Sequence, residues 1–436
     1  MEWWIALAAI FAGLVLLMVS GLPVAFAFLF IDILGAIFIF GGSAGLEILI
    51  LNIEESMTNF SLLPVPLFIF MGVVLFQSGI GVRIIDTLDK WIGRVPGRLS
   101  LLTVASATIF ACMSGSTVGT SIMLGKTLMP EMEKRGYKKS MTVGPILGCG
   151  GLAMLIPPSA LAVLLASLAK VSVGKLLIAG IMPGLLLAAF FAIYIVGRST
   201  IQPSVAPPYE GSSVSLSEKS IDLLRYVFPC IFIIFLTVGV IFLGVATPSE
   251  AAALGSIGMV ILAAAYRRLN WEMIKTSIMD TVSTSAMLFI IIIGSMTFSQ
   301  ILAFSGASAG LVQFISGLNI SPLGVLILMQ LGLMLLGCFM DNLSMVMVAL
   351  PVYLPVIHLL GFEPIWFSLL ILINMETANI TPPFGLVLFA VKGIASSDTT
   401  IGDIYKAALP FVICDVLAMA VIIIFPQIAL WLPALL

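Results

Sequence analysis

The sequence predicts an all-α polytopic membrane protein made of two inverted-topology repeats, each with a re-entrant helical hairpin and a transmembrane helix broken at a Pro-Pro pair. Three observations predict it. Hydrophobic residues make up 61% of the 436-residue chain and charged residues only 9%, against roughly 25% charged in a soluble domain. Apolar runs recur at 4–20, 24–40, 176–196, 226–245 and 407–432, and about 20 helical residues suffice to cross a bilayer core. The run 226–245 is continuous rather than alternating, which excludes a strand barrel. The third observation is a frame that occurs twice.

In the first half Leu128-Met129-Pro130 is followed by Gly136-Tyr137, and Pro157-Pro158 comes 21 positions after that glycine. In the second half Tyr353-Leu354-Pro355 is followed by Gly361-Phe362, and Pro382-Pro383 again comes 21 positions on. A lone proline in a membrane helix is usually a kink, but two in register imply a repeat. Helices broken at matching places in two halves expose backbone polar groups at mid-membrane, where they hold an ion or solute.

Other classes are excluded. A net charge of −2 offers no basic surface for nucleic acid. Cys112, Cys149, Cys230, Cys338 and Cys414 are widely spaced within apolar runs and suit packing rather than metal or disulfide chemistry. With His358 alone and no His-Glu-x-x-His, a metalloprotease is excluded, and no Gly-x-Ser-x-Gly elbow marks a serine hydrolase. The N-terminal run lacks a cleavage pattern, so no removable signal peptide is expected.

The polar, Pro- and Ser-containing stretch 198–225 separates the halves as a cytoplasmic linker. Residues 1–97 read as scaffold helices with an amphipathic arm at 82–91 lying along the membrane surface. Residues 98–197 form the first repeat, with a hairpin at 98–129 and a broken helix at 140–168. Second-half scaffold helices occupy 226–306, with a span at 286–304. The second repeat covers 307–399, with a hairpin at 322–354 and a broken helix at 365–391, and 400–436 is a C-terminal helix. Trp3, Trp4 and Trp431 suit interfacial anchoring.

Loop charge orients the chain, because basic loops stay cytoplasmic. Lys134, Arg135, Lys138 and Lys139 crowd the loop after the first hairpin, whereas the matching loop, 355–364, carries only His358 and Glu363. Equivalent loops of opposite character predict opposite sides. Lys170 and Lys175 face outward against the rule.

The first hairpin tip, Ser114-Gly115-Ser116-Thr117-Val118-Gly119-Thr120-Ser121, supplies hydroxyls and carbonyls, which are hard ligands for a small cation, and a helix N-terminus suited to an anion. Such small residues also make tight helix seams; the tip's place, 43 residues ahead of Pro157, favours a ligand role. Each Pro-Pro removes backbone donors and frees carbonyls about four residues earlier, at Ala153 and Met154 and at Ala378 and Asn379. Asp341, Asn342, Glu376 and Asn379 are polar groups in apolar surroundings, and such groups are functional candidates by default. Asp341 and Glu376 suit either a cation or pairing with polar neighbours. Asp32 and Asp415 are expected at a partner contact or a water-exposed rim. Ser116, Thr117, Asp341, Asn342 and Asn379 are the candidate substrate contacts.

These motifs together resemble the large membrane subunit of TRAP transporters. Ser114-Gly115-Ser116, Leu128-Met129-Pro130-Glu131-Met132, Arg135-Gly136-Tyr137 and Ile156-Pro157-Pro158-Ser159 resemble its first half. Thr247-Pro248-Ser249-Glu250 and Asn374…Ile380-Thr381-Pro382-Pro383 with Gly385 resemble its second. The resemblance implies a sodium-driven elevator in a bacterial inner membrane, with Na+ as coupling ion, no organic cofactor and no enzymatic activity. Its partners would be a separate small four-helix membrane subunit and a periplasmic binding protein that delivers an organic acid anion. By motif position it implies sodium held mainly by backbone oxygens of Ser114, Ala153, Ile156 and Pro158 in one site, and of Gly337, Ala378, Thr381 and Phe384 in the other. Many relatives carry glycine where Ala153 and Ala378 stand. A stand-alone sodium symporter of related hairpin architecture and an ion channel are the alternatives, the latter disfavoured by the paired breaks.

Overall fold

The computed structural model describes residues 2–208, 215–318, 320–383 and 385–436, and these contain helices and no strand. The N-terminal half comprises α1 (Trp3–Val19), α2 (Val24–Phe38), α3 (Ser43–Met57), α4 (Pro64–Gln77), α5 (Ile80–Trp91), α6 (Arg98–Ser114), α7 (Thr117–Lys134), α8 (Lys139–Leu155), α9 (Ala160–Leu168) and α10 (Val173–Ile201). The second half comprises α11 (Leu216–Phe242), α12 (Pro248–Ala265), α13 (Trp271–Phe304), α14 (Ala307–Gly317), α15 (Pro322–Gly337), α16 (Asn342–Leu359), α17 (Pro364–Asn379), α18 (Leu386–Ile394) and α19 (Ile401–Ile424). Among the described residues, seven helices are long and apolar enough to cross a membrane, or eight when the bent pair α8–α9 is taken as one span. Apolar side chains such as Ile193, Phe235, Ile257 and Leu335 lie exposed on their outer faces, as a hydrocarbon surround requires.

The repeated frame has a local physical cause. Gly136 and Gly361 both adopt left-handed backbone, φ 77° and 69°, which costs glycine little. Each ends its helix in the same pattern: Tyr137 N–H donates to the Met132 carbonyl, and Phe362 N–H to the Ile357 carbonyl. That six-to-one bond closes a Schellman turn. A broken helix follows each turn, α8–α9 bent by 48° and α17 followed by α18. Both Pro157-Pro158 and Pro382-Pro383 are cis.

Boundaries differ from expectation where prolines sit near helix ends. Helix α7 runs through Pro130 to Lys134, and α16 runs through Pro351 and Pro355 to Leu359. Helix α13 has 34 residues, about 50 Å at 1.5 Å per residue. Its first half, beyond the expected span at 286–304, carries exposed Glu272, Lys275 and Asp280, which hid it among polar residues. The arm α5 is helical, but its apolar face, Ile80, Ile84 and Ile85, is buried against protein rather than lipid. Lys90 ties it to α11 through Glu218 at 3.1 Å and Asp222 at 2.5 Å. Both ends of the 198–225 stretch are helical, Ile201 ending α10 and Leu216 opening α11.

Contacts sort the connections onto two faces. Lys139 pairs with Glu133 at 2.8 Å and Asp398 at 3.1 Å, and Lys138 N–H donates to the Val205 carbonyl. The first hairpin's loop, the 203–206 turn and the 395–400 loop therefore share one face. Lys170, Asn59 and Ser167 line a cavity together with Pro351 and Leu354, so the far end of α16 lies beside the 167–170 turn. Lys175, Thr247 and Leu436 share another cavity.

Candidate functional site

Two hairpin tips meet two broken helices. The first tip turns at Gly115, φ 56°, between α6 and α7. Ser116 is extended there, and its hydroxyl caps α7 by accepting from Gly119 N–H at 3.1 Å. The hydroxyls of Ser114 and Thr120 lie 2.9 Å apart. A Cβ on Gly115 would stand 3.4 Å from Ala160 N and 3.7 Å from the Pro158 carbonyl oxygen, so this tip rests on the first break. The break itself is extended at Ile156, and Ser159 caps α9 through Ala162 N–H at 3.2 Å. Because Pro157 and Pro158 lack N–H groups, the carbonyls of Ala153 and Met154 lose their i+4 donors.

The second tip joins α15 to α16. Asp341 caps α16, accepting from Leu343 N–H at 3.1 Å, from Ser344 N–H at 3.2 Å and from the Ser344 hydroxyl. A Cβ at Gly337 would overlap the Ala378 side chain, which places this tip on the second break. There the Ala378 carbonyl accepts from Thr381 N–H at 3.2 Å, and the Tyr405 hydroxyl donates to the Pro383 carbonyl at 2.7 Å. The tips also cross over: Asn342 Nδ2 lies 3.5 Å from Met154 Sδ at the first break.

Of the expected substrate contacts, two keep unspent polar atoms. Thr117 Oγ1 and Asn342 Oδ1 are buried without a hydrogen-bond partner. Ser116 and Asp341 are committed as caps, and the Thr381 hydroxyl donates to the Thr377 carbonyl at 2.6 Å. Asn379 is buried with its carbonyl against Gly385, and Phe384 lies outside the described residues.

The expected exposure of Asp32 and Asp415 is not what the structure has. Both are fully buried, with no hydrogen-bond partner to either carboxylate; Asp32 lies under α13, where a Cβ on Gly294 would sit 3.6 Å from its Oδ2. Sequence reading also missed Gly72 of α4, where a Cβ would overlap the Ser114 carbonyl. A single glycine in an apolar helix gives no signal that a hairpin tip crosses it.

Residues 11–428 match the family described as "Tripartite ATP-independent periplasmic transporter, DctM component". The chain is 32% identical over 422 residues to the ectoine TRAP transporter large permease protein TeaC of Halomonas elongata, covering 97% of each chain. It is 29% identical to the C4-dicarboxylate TRAP transporter large permease protein DctM of Pseudomonas aeruginosa, covering 88% of this chain and 89% of that one. The fold is similar to that of the Alcanivorax borkumensis YdaH transporter, TM-score 0.64 at 16% identity, covering 90% and 89%. With its apolar spans, the chain is a multi-pass protein of the bacterial inner membrane. It belongs to the DctM-component family, the large membrane subunits of tripartite ATP-independent periplasmic transporters.

Proposed function

We propose that this subunit imports a carboxylate-bearing organic solute with sodium, taking it from a periplasmic binding protein and working beside a small four-helix membrane subunit. The observation that carries this reading is the seating of each hairpin tip on its own proline-opened helix, with Asn342 of the second tip also reaching the first. Hard carbonyl oxygens suit sodium; those of Ala153 and Met154 lack i+4 donors, whereas the Ala378 carbonyl, expected to be freed, accepts from Thr381 N–H across the break. One site would use Ser114, Ala153, Ile156 and Pro158, the other Gly337, Ala378, Thr381 and Phe384. The solute would lie between the tips, where Thr117 and Asn342 retain free polar atoms.

The two helix N-termini then differ in role. Asp341 already fills the N-terminus of α16 with a carboxylate, whereas α7 is capped by neutral Ser116. The solute's carboxylate would face α7, whose positive end is unneutralised. The two relatives' substrates, ectoine and C4-dicarboxylates by name, support a carboxylate solute. The opposed loop faces support inverted repeats moving as an elevator past α4 and α13.

Reconstitution into proteoliposomes with the small subunit and the cognate binding protein tests the reading. Uptake of one acid from a panel should require an inward sodium gradient and the binding protein. Sodium-independent uptake would refute the coupling, and uptake without the binding protein would favour the stand-alone symporter.

A further inference from the structure

Behind the tips, helices α8, α17 and α19 pack together and enclose a second polar centre. Glu376 of α17 is 1% exposed and Asp415 of α19 is 0% exposed. All four of their carboxylate oxygens are buried without a hydrogen-bond partner. The two groups lie within Coulombic reach of each other. The Glu376 carboxyl sits over Gly151, where a Cβ would overlap it, so the chain leaves room for this group that no other residue would.

Among the described residues, nothing facing the pair supplies a counter-charge. Its ionisable neighbours are Cys149 of α8 and Cys414 of α19. The Thr377 hydroxyl beside Asp415 donates to the Ile373 carbonyl at 2.9 Å, so its proton is taken. The basic residues of these helices, Lys139 and Lys406, sit near their starts; Lys406 precedes Asp415 by nine positions, about 13 Å along a helix. Two unpaired carboxylates at membrane depth are costly unless something neutralises them. Carboxylate oxygens are hard ligands for small cations. Among the described residues no three His, Cys, Asp or Glu side chains converge as a metal cage, which argues against a transition metal, and the full burial of both side chains argues against Mg2+, which keeps several waters.

We propose that Glu376 and Asp415 form a further sodium site, held by side-chain carboxylates and separate from the backbone-oxygen sites at the two breaks. It adjoins both breaks along the chain, since Gly151, against which the Glu376 carboxyl packs, precedes Ala153 by two residues and Glu376 precedes Ala378 by two. The site rests on the sodium-coupled reading of the function and adds one ion to it.

The test is the sodium-to-solute ratio, read from reversal potentials in proteoliposomes, for the wild type, Glu376→Gln and Asp415→Asn. Each amide variant should carry one sodium fewer per solute. In purified protein, sodium-dependent thermal stabilisation should need at least tenfold more sodium in both variants, with Glu376→Asp intermediate. A sodium-coupled wild type with an unchanged ratio and unchanged stabilisation in the variants would overturn this site alone. A wild type without sodium coupling would overturn the functional reading first. If acidification replaces sodium in stabilising the wild type, the pair binds a proton and the proposal fails. Should one amide variant not fold, the other carries the test.

Discussion

At the first break every residue from Ile156 to Ala160 is buried, whereas at the second Thr381 is half-buried and Pro382 and Pro383 are exposed. The covalent motif is the same, so the difference comes from what covers it. The first break lies under its own tip through Gly115, and Asn342 of the second tip reaches it as well. The second break has Gly337 on one side and a single hydroxyl, that of Tyr405, on its outer carbonyl. One duplicated element thus yields an occluded centre and an accessible one. An ion at the second should exchange with bulk faster than one at the first.

Substitutions at the two tips should break this comparison most visibly. Gly115→Val puts a branched side chain on left-handed backbone against the occluded break. Misplacing that tip by an ångström should lower sodium-driven uptake about 100-fold, with thermal unfolding in detergent showing that the fold persists. Asp341→Ala removes the cap of α16, worth about 1 kcal/mol, and uptake should fall about fivefold. Equal losses in the two variants would remove the distinction between the centres.

Smaller effects sharpen it. Thr117→Val removes an unspent hydroxyl worth about 1 kcal/mol to a bound solute and should raise KM about fivefold with the maximal rate retained; Thr117→Ser should restore it. Tyr405→Phe uncovers the Pro383 carbonyl and should shift the apparent sodium affinity about threefold, as one neutral hydrogen bond allows. An unchanged sodium curve would show that the outer carbonyl takes no part.

The smallest effect concerns the loop face. The Ser396 hydroxyl and the Lys139 ammonium hold Asp398 below its ordinary range. A lowered carboxyl stabilises the fold above its unfolded value, about 3.9, and that contribution is lost as pH falls through the lowered value. Unfolding midpoints of the wild type and Asp398→Asn should therefore differ by a constant amount from pH 5 to 8 and converge in stronger acid.

Much of this was legible in the sequence because its signals are local. Gly136 and Gly361 close identical Schellman turns, and the Pro-Pro pairs delete specific backbone donors, so spacing alone exposed the repeat. The Ser/Gly octet marked a tip for the same reason: Gly115 must turn left-handed and Ser116 must cap. What remained hidden depends on tertiary approach. Nothing local reveals that Gly72 admits the Ser114 carbonyl, or that Gly151 makes room for Glu376. Asp415 looked like a partner-contact or rim residue because it stands alone in an apolar segment; only the packing of α19 on α8 and α17 buries it. Asp341, read as either a ligand or a partner of polar neighbours, takes the second part as the cap of α16, and its tie to the backbone could not be told from composition.

The central claim is that matching breaks enter the membrane from opposite faces. Lys138 and His358 both lie exposed beside the loops that follow the two hairpins, and none of the five native cysteines is exposed. In intact cells, a membrane-impermeant thiol reagent should label His358→Cys and leave Lys138→Cys unreacted, and inverted vesicles should reverse the pattern. Labelling of both positions from the same side would contradict it.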